Sequence, residues 1–132
     1  MISHRSTRPS LPMLNIPASV GEVLDKISIL QIKSDRITDG RKLANVRTEL
    51  RHLTLAARGH RVPELEAQLR AVNESLWDIE DRIRVKEKLG EFDADFIELA
   101  RSVYITNDKR AEIKREINLA SASYLIEEKS YA

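Results

Sequence analysis

Between Pro63 and Leu89 the apolar residues Leu65, Leu69, Val72, Leu76, Ile79 and Ile83 recur at alternating steps of four and three, which places them on one seam of a helix. Pro63 suits a first helical turn, Gly90 suits the left-handed residue that ends a helix, and nothing between them interrupts it. At about 1.5 Å per residue such a rod is on the order of 40 Å long. A helix of that length cannot cover its own stripe, so it is the expected centre against which the other segments pack.

Upstream, Ser19-Val20-Gly21-Glu22 reads as a capping box, with the serine hydroxyl serving the Glu22 amide and the glutamate reaching back. The helix it opens carries Val20, Val23, Leu24, Ile27, Leu30 and Ile37 on its main stripe and stops at Thr38-Asp39-Gly40. Ile29 and Ile32 fall on its far side, near Asp25 and Arg36. Either this helix is central in the bundle or its second apolar face meets another chain, with Ile29 and Ile32 as the candidate interface. A second helix, from about Arg41 to Arg58, has Leu43, Val46, Leu50, Leu53 and Ala57 at the same spacing and Gly59 as its stop. The short link to Pro63 predicts an antiparallel hairpin with the long helix. In that pairing the basic side Arg47, Arg51 and Arg58, with Arg61, answers the acids Glu74, Asp78, Glu80 and Asp81.

Phe92-Asp93 opens the last helix, Asp93 as N-cap and Phe92 meeting Ile97 as a hydrophobic staple. Its stripe Phe96, Leu99, Ala100 and Val103 falters at Thr106-Asn107-Asp108-Lys109-Arg110 and resumes at Ile113 and Ile117. A break recapped by Asn107 or Asp108 and a continuous helix that turns a polar cluster inward both fit. Tyr124, Leu125 and Ile126 are expected to hold the C-terminal segment down. Residues 1–17, with Pro9, Pro12 and Pro17 and no helical period, read as a flexible tail from which Met13, Leu14 and Ile16 can dock as a strap. The expected fold is therefore all-α: an antiparallel bundle of about four helices with one long central helix, formed by a single domain over residues 18–132.

Composition narrows the function classes. Charged residues make up 33% and aromatics 5%, a mixture suited to amphipathic helices with solvated outer faces. The chain has no cysteine, which removes disulfides, thiolate metal sites and cysteine nucleophiles. No apolar run approaches the roughly 20 residues that span a bilayer, and no signal-peptide core is present, so a cytoplasmic protein is the default expectation. The formal net charge is +1, and two of the positive charges, Arg5 and Arg8, lie in the tail. A body this close to neutral argues against general nucleic-acid binding, which draws most of its affinity from phosphate contacts.

Familiar catalytic signatures are missing: there is no glycine-rich phosphate loop, no G-x-S-x-G elbow and no H-E-x-x-H, and E-x-x-H does not occur twice as the di-iron bundles require. No catalytic residue, metal ligand or cofactor site is assigned on this basis. The polar set of most interest joins Asp25, Lys26, Lys33 and Arg36 of the first helix with Asn107, Asp108 and Arg110 of the last. If these helices touch, the charges must be paired to survive burial, forming either a pocket for an anionic small molecule or a structural network that fixes helix register.

The segments Ser19-Val20-Gly21-Glu22-Val23-Leu24-Asp25-Lys26-Ile27-Ser28-Ile29-Leu30-Gln31-Ile32-Lys33, Leu76-Trp77-Asp78-Ile79-Glu80-Asp81, Thr106-Asn107-Asp108-Lys109-Arg110 and Glu127-Glu128-Lys129-Ser130-Tyr131 resemble an uncharacterised family of short bacterial proteins. The resemblance covers nearly all of the chain after about Ile16. It implies an all-helical bacterial protein, in some cases associated with glycosyltransferase or cell-surface glycan genes, and it supplies no activity or catalytic residues. A weaker likeness is to the all-helical chorismate mutases, with Arg36, Arg82 and Lys86 as cations around a dicarboxylate. The only glutamines, Gln31 and Gln68, depart from that family's late glutamine. Together these features favour a non-enzymatic protein–protein interaction or scaffold module, with a homodimer through Ile29 and Ile32 as one form of it. A small-molecule enzyme or anion binder of the chorismate-mutase type is the alternative.

Overall fold

The computed structural model describes residues 11–130. Within them the regular structure is entirely helical, in four helices: α1 Val20–Arg36, α2 Gly40–Ala56, α3 Pro63–Leu89 and α4 Ala94–Ala120. The start signals act largely as their chemistry requires. Ser19 Oγ accepts from the Glu22 amide at 3.1 Å, Asp39 Oδ1 from Arg41 at 3.0 Å and Asp93 Oδ1 from Phe96 at 3.0 Å. These bonds satisfy amides that the first helical turn leaves without partners. The reciprocal half of the capping box is not made, because the Glu22 carboxylate turns to Lys114 of α4 instead. Gly90, at φ +69°, turns α3 into α4 in the left-handed region that a side chain would disfavour.

The helices form a bundle, but its organising element is α1 rather than the long α3. Helix α1 packs against α2, α3 and α4, whereas the backbone of α2 comes close to α1 alone. The expected hairpin between α2 and α3 is therefore absent; the long antiparallel pair is α3 with α4. The physical reason lies in burial. Leu24, Ile27, Leu30 and Ile32 of α1 are all buried, while along α3 only Leu69 and Asn73 are. Leu24, Ile27, Ala57, Leu69, Ile113 and Ile117 form the core, with Leu50, Leu53, Val62, Leu65 and Val72 packed at its edge. Each large side chain so buried contributes roughly 1.5–3 kcal/mol.

This arrangement accounts for the second apolar face of α1. Ile32 is only 1% exposed within a single chain, so it belongs to the core and offers no surface for another subunit; Ile29 is half-buried. The acids of α3 do not meet the basic side of α2. Asp78 pairs with Arg36 of α1 at 2.7 Å, and Glu74 and Glu80 pair with Arg70 and Arg84 of their own helix.

Both chain ends also differ from expectation. Leu11, Met13, Leu14 and Ile16 are exposed and do not dock; residues 1–10 of the expected tail lie outside the described residues. At the other end Tyr124 is 99% exposed. The segment after α4 is held by charge, through Glu128 to Arg115 at 2.8 Å and Lys129 to Asp108 at 2.7 Å. Phe92 forms an edge-on ring contact with Phe96 at 5.2 Å, and Ile97 stays exposed, so the anticipated staple is replaced by an aromatic pair.

Candidate functional site

Helix α4 runs unbroken through its polar turn. Of the two forms open from sequence, the continuous helix is the one present, and it directs Arg110 inward from that turn. Helix α1 crosses it in the opposite sense, so Asp25 lies opposite Arg110 while Gly21 lies opposite Asn118. Asp25 is only 1% exposed and is the centre of the site.

Its carboxylate accepts Arg110 Nε at 3.0 and 3.1 Å and a further short bond from the same guanidinium. Asn73 Nδ2 of α3 donates to Asp25 Oδ1 at 2.8 Å and to Ser28 Oγ at 2.7 Å, and Ser28 Oγ donates in turn to the Asp25 carbonyl at 3.0 Å. Lys114, one turn beyond Arg110, completes the shell at 3.5 Å and also pairs with Glu22 at 3.3 Å and Glu127 at 3.8 Å. A carboxylate removed from water is tolerated when it is ringed by donors in this way. The Arg110 guanidinium is raised further above its already high ordinary range, first by its hydrogen bond to Asp25, against the opposing effect of burial. Among the described residues no buried side-chain nitrogen or oxygen lacks a partner.

A second set of bonds ties the start of α1 to the end of α4. The Gly21 amide donates to Asn118 Oδ1 at 2.6 Å, the Val20 amide to Ser123 Oγ at 3.1 Å, and Ser19 Oγ to Glu127 Oε1 at 3.1 Å. The backbones approach closely here: a Cβ on Gly21 would stand 2.6 Å from the Lys114 carbonyl oxygen.

The outer edge of this centre opens on a groove of about 1230 Å³ between α4 and the C-terminal segment, with Arg110, Lys114 and Arg115 on one wall and Glu127, Glu128 and Lys129 on the other. Arg110 is 28% exposed into it. The groove's cations already have carboxylate partners: Asp25 and Glu22 from α1, Asp108 from α4, and Glu127 and Glu128 from the C-terminal segment.

Of the seven polar residues singled out from sequence, Asp25, Arg110 and Asn107 come together, Asn107 Oδ1 accepting from Arg110 at 3.5 Å. Asp108 faces outward to Lys129. Lys26 is exposed, and Lys33 contributes its carbonyl, which closes α1 by accepting from the Ile37 amide at 2.9 Å. Arg36 lies elsewhere, bonded to Asp78 with its guanidinium 5.6 Å from the centroid of the Trp77 ring. Nor do Arg36, Arg82 and Lys86 share a pocket, since Arg82 and Lys86 line a groove between α3 and α4 that Arg36 does not reach. Sequence reasoning passed over Asn73, Ser28, Lys114 and Asn118. Asn73 carried a usable signal, a polar residue one turn beyond Leu69 and beside Val72 on an otherwise apolar stripe; Lys114 carried another, a second cation one turn beyond Arg110.

Fold and site together define a small protein, all-helical among the described residues, whose first and last helices are locked across a buried aspartate. Residues 14–132 match the model of the DUF6165 family, described as a family of unknown function, and the chain belongs to that family. No curated protein and no solved structure matches it. Among the described residues no helix is long and apolar enough to cross a membrane.

Proposed function

We propose that the protein is a non-enzymatic protein–protein interaction module whose working surface is the part of the α3–α4 hairpin beyond the reach of α1. The carrying observation is a contrast. The buried polar centre spends its donors and acceptors on itself, whereas the hairpin past Asp78 leaves Val85, Leu89, Phe92 and Ile97 exposed. Apolar side chains grouped on one projecting element are characteristic of a protein contact surface. The Asp25 centre then serves as the rigid base that holds the hairpin. The resemblance noted above extends the proposal to partners in bacterial cell-surface glycan systems.

Photo-crosslinking tests the assignment. A crosslinking residue placed at Val85 or Leu89 is expected to capture protein from a host extract, and one placed at Lys26, on the exposed side of α1, is not. Equal capture at both positions, or none at the hairpin, overturns it.

A further inference from the structure

We infer that the exposed end of the α3–α4 hairpin pairs with the same hairpin of a second copy of this chain, through the groove lined by Asp81, Arg82, Val85, Lys86, Glu91 and Leu99. The inference rests on the interaction surface proposed above and names its occupant. The groove holds about 300 Å³, with Val85 and Leu99 as its apolar lining and charged residues around them. Leu89, one turn beyond Val85, continues the apolar line and is exposed.

Charge identifies the occupant. From Arg82 to Lys88 helix α3 carries Arg82, Arg84, Lys86 and Lys88 against a single acid, Glu87. From Glu91 to Glu98 the link and the start of α4 carry Glu91, Asp93, Asp95 and Glu98 and no base. One edge is cationic and the other anionic. A two-fold axis running along the helices lays each α3 over the partner's α4, cationic edge on anionic edge and apolar line on apolar line. Such an interface is isologous and closes on itself. Part of the complementarity is already used within the chain, where Lys86 pairs with Asp93 at 2.8 Å, Glu91 at 3.7 Å and Asp95 at 3.9 Å. Arg82 and Lys88 make no ion pair among the described residues, and Asp95 is 82% exposed, so charge of both signs stays available on the outer edges.

The area sets the strength. From Asp78 to Leu89 the hairpin extends about 17 Å, and two helices side by side are about 20 Å wide. That face is well under the roughly 800 Å² per partner of stable complexes. The dimer is accordingly weak, concentration-dependent and sensitive to salt.

Sedimentation velocity of the full chain over a wide concentration range, at low and high salt, tests the pairing. The wild type is expected to pass from monomer to dimer with concentration and to revert as salt rises. Arg82→Glu with Lys88→Glu turns the α3 edge net acidic like the α4 edge, and Asp95→Lys with Glu98→Lys cancels the net charge of the α4 edge; each double variant alone is expected to dimerise about tenfold or more weakly. Mixed in equal amounts, the two variants are expected to form a heterodimer tighter than either variant's homodimer, because one of its two crossed edges again sets cations against acids. Circular dichroism melts check that both remain folded; the Asp93 cap is left in place, and Asp95→Lys removes only the longest of the three ion pairs of Lys86. A wild type that stays monomeric at millimolar concentration, or variants that dimerise undiminished, or mixing that restores nothing, each overturns the inference. Should the chain stay monomeric while Val85 still crosslinks to a different protein, the self-association fails and the broader interaction module stands.

Discussion

Replacing Arg110 with methionine removes a charge and leaves a chain of similar length, which isolates the role of the guanidinium at Asp25. The carboxylate, 1% exposed, would keep Asn73 at 2.8 Å and Lys114 at 3.5 Å but lose every bond Arg110 supplies. Breaking a buried pair by removing one partner costs about 3–5 kcal/mol. Lys114 remains in reach and groove water can enter where Arg110 was partly exposed, so the lower end, about 3 kcal/mol, is expected. For a chain of this size that lowers Tm by roughly 10–15 °C. The sharper test is the second substitution. Asp25→Asn added to Arg110→Met removes the orphaned charge while keeping an acceptor for Asn73, so the double variant should be more stable than Arg110→Met alone by about 1 kcal/mol or more. Urea unfolding followed by circular dichroism gives both numbers, with equal m values as the check that the unfolding transition is comparable. A double variant less stable than Arg110→Met, or an Arg110→Met that unfolds at the wild-type midpoint, would refute the account of Asp25 as a charge sustained by its partner.

Gly21→Ala should destabilise by about 1–3 kcal/mol, because the added Cβ must displace the Lys114 carbonyl and Asn118; an unchanged melting curve would show that α1 and α4 are not in close backbone contact there. Asn118→Leu should cost on the order of 1–3 kcal/mol through the lost acceptor for the Gly21 amide, read by the same melts. Asp93 has its carboxyl held below the ordinary value near about 4, chiefly by Lys86 and then by the Phe96 amide. Its folded pKa is depressed, so its stabilisation is full above the unfolded value and disappears as pH falls through the folded one. Asp93→Asn should therefore flatten the loss of stability on acidification below about pH 4, and a variant with the wild-type acid profile would contradict it.

Element existence was readable because periodicity reports which side of a helix is apolar and because Ser19, Asp39 and Asp93 carry local capping chemistry. Element pairing was not, for a definite reason. The stripe of α3 says that six residues seek cover, and it is silent on which helix supplies it; α1 supplies part of it, through Leu24 and Ile27 in the core with Leu69, and the second face that the sequence displayed as Ile29 and Ile32 did not reveal its occupant. Ile32 at 1% exposure settles that its cover comes from the same chain. The Asp25–Arg110 contact was legible only as a conditional, since 85 residues separate the two and no local rule spans that distance. The polar turn of α4 illustrates the ambiguity well: none of the 27 residues of the helix is glycine or proline, so nothing required a break, yet Arg110 had no reason to point inward until Asp25 was placed opposite.

The two clusters between α1 and α4 explain why so polar a seam is kept where leucine would pack. Apolar side chains on antiparallel helices tolerate a slip of one turn, about 5.4 Å, with only modest loss. Asp25 by itself would tolerate it too, because Lys114 lies one turn from Arg110 and would receive the carboxylate in the slipped register. Gly21 removes that option. It is the one residue in the first turns of α1 without a side chain, and a slip of one turn would bring Leu24 or Asp25 to the close approach that Gly21 now makes with the Lys114 carbonyl. Steric contact at Gly21 thus selects the register in which Arg110 meets Asp25, and the amide bond from Gly21 to Asn118 is satisfied in that register. This fixes the angle at which α4 leaves α1, and with it the direction in which the α3–α4 hairpin projects. A surface that works by meeting another protein needs that direction held, and a seam packed by leucine alone would leave it free to shift.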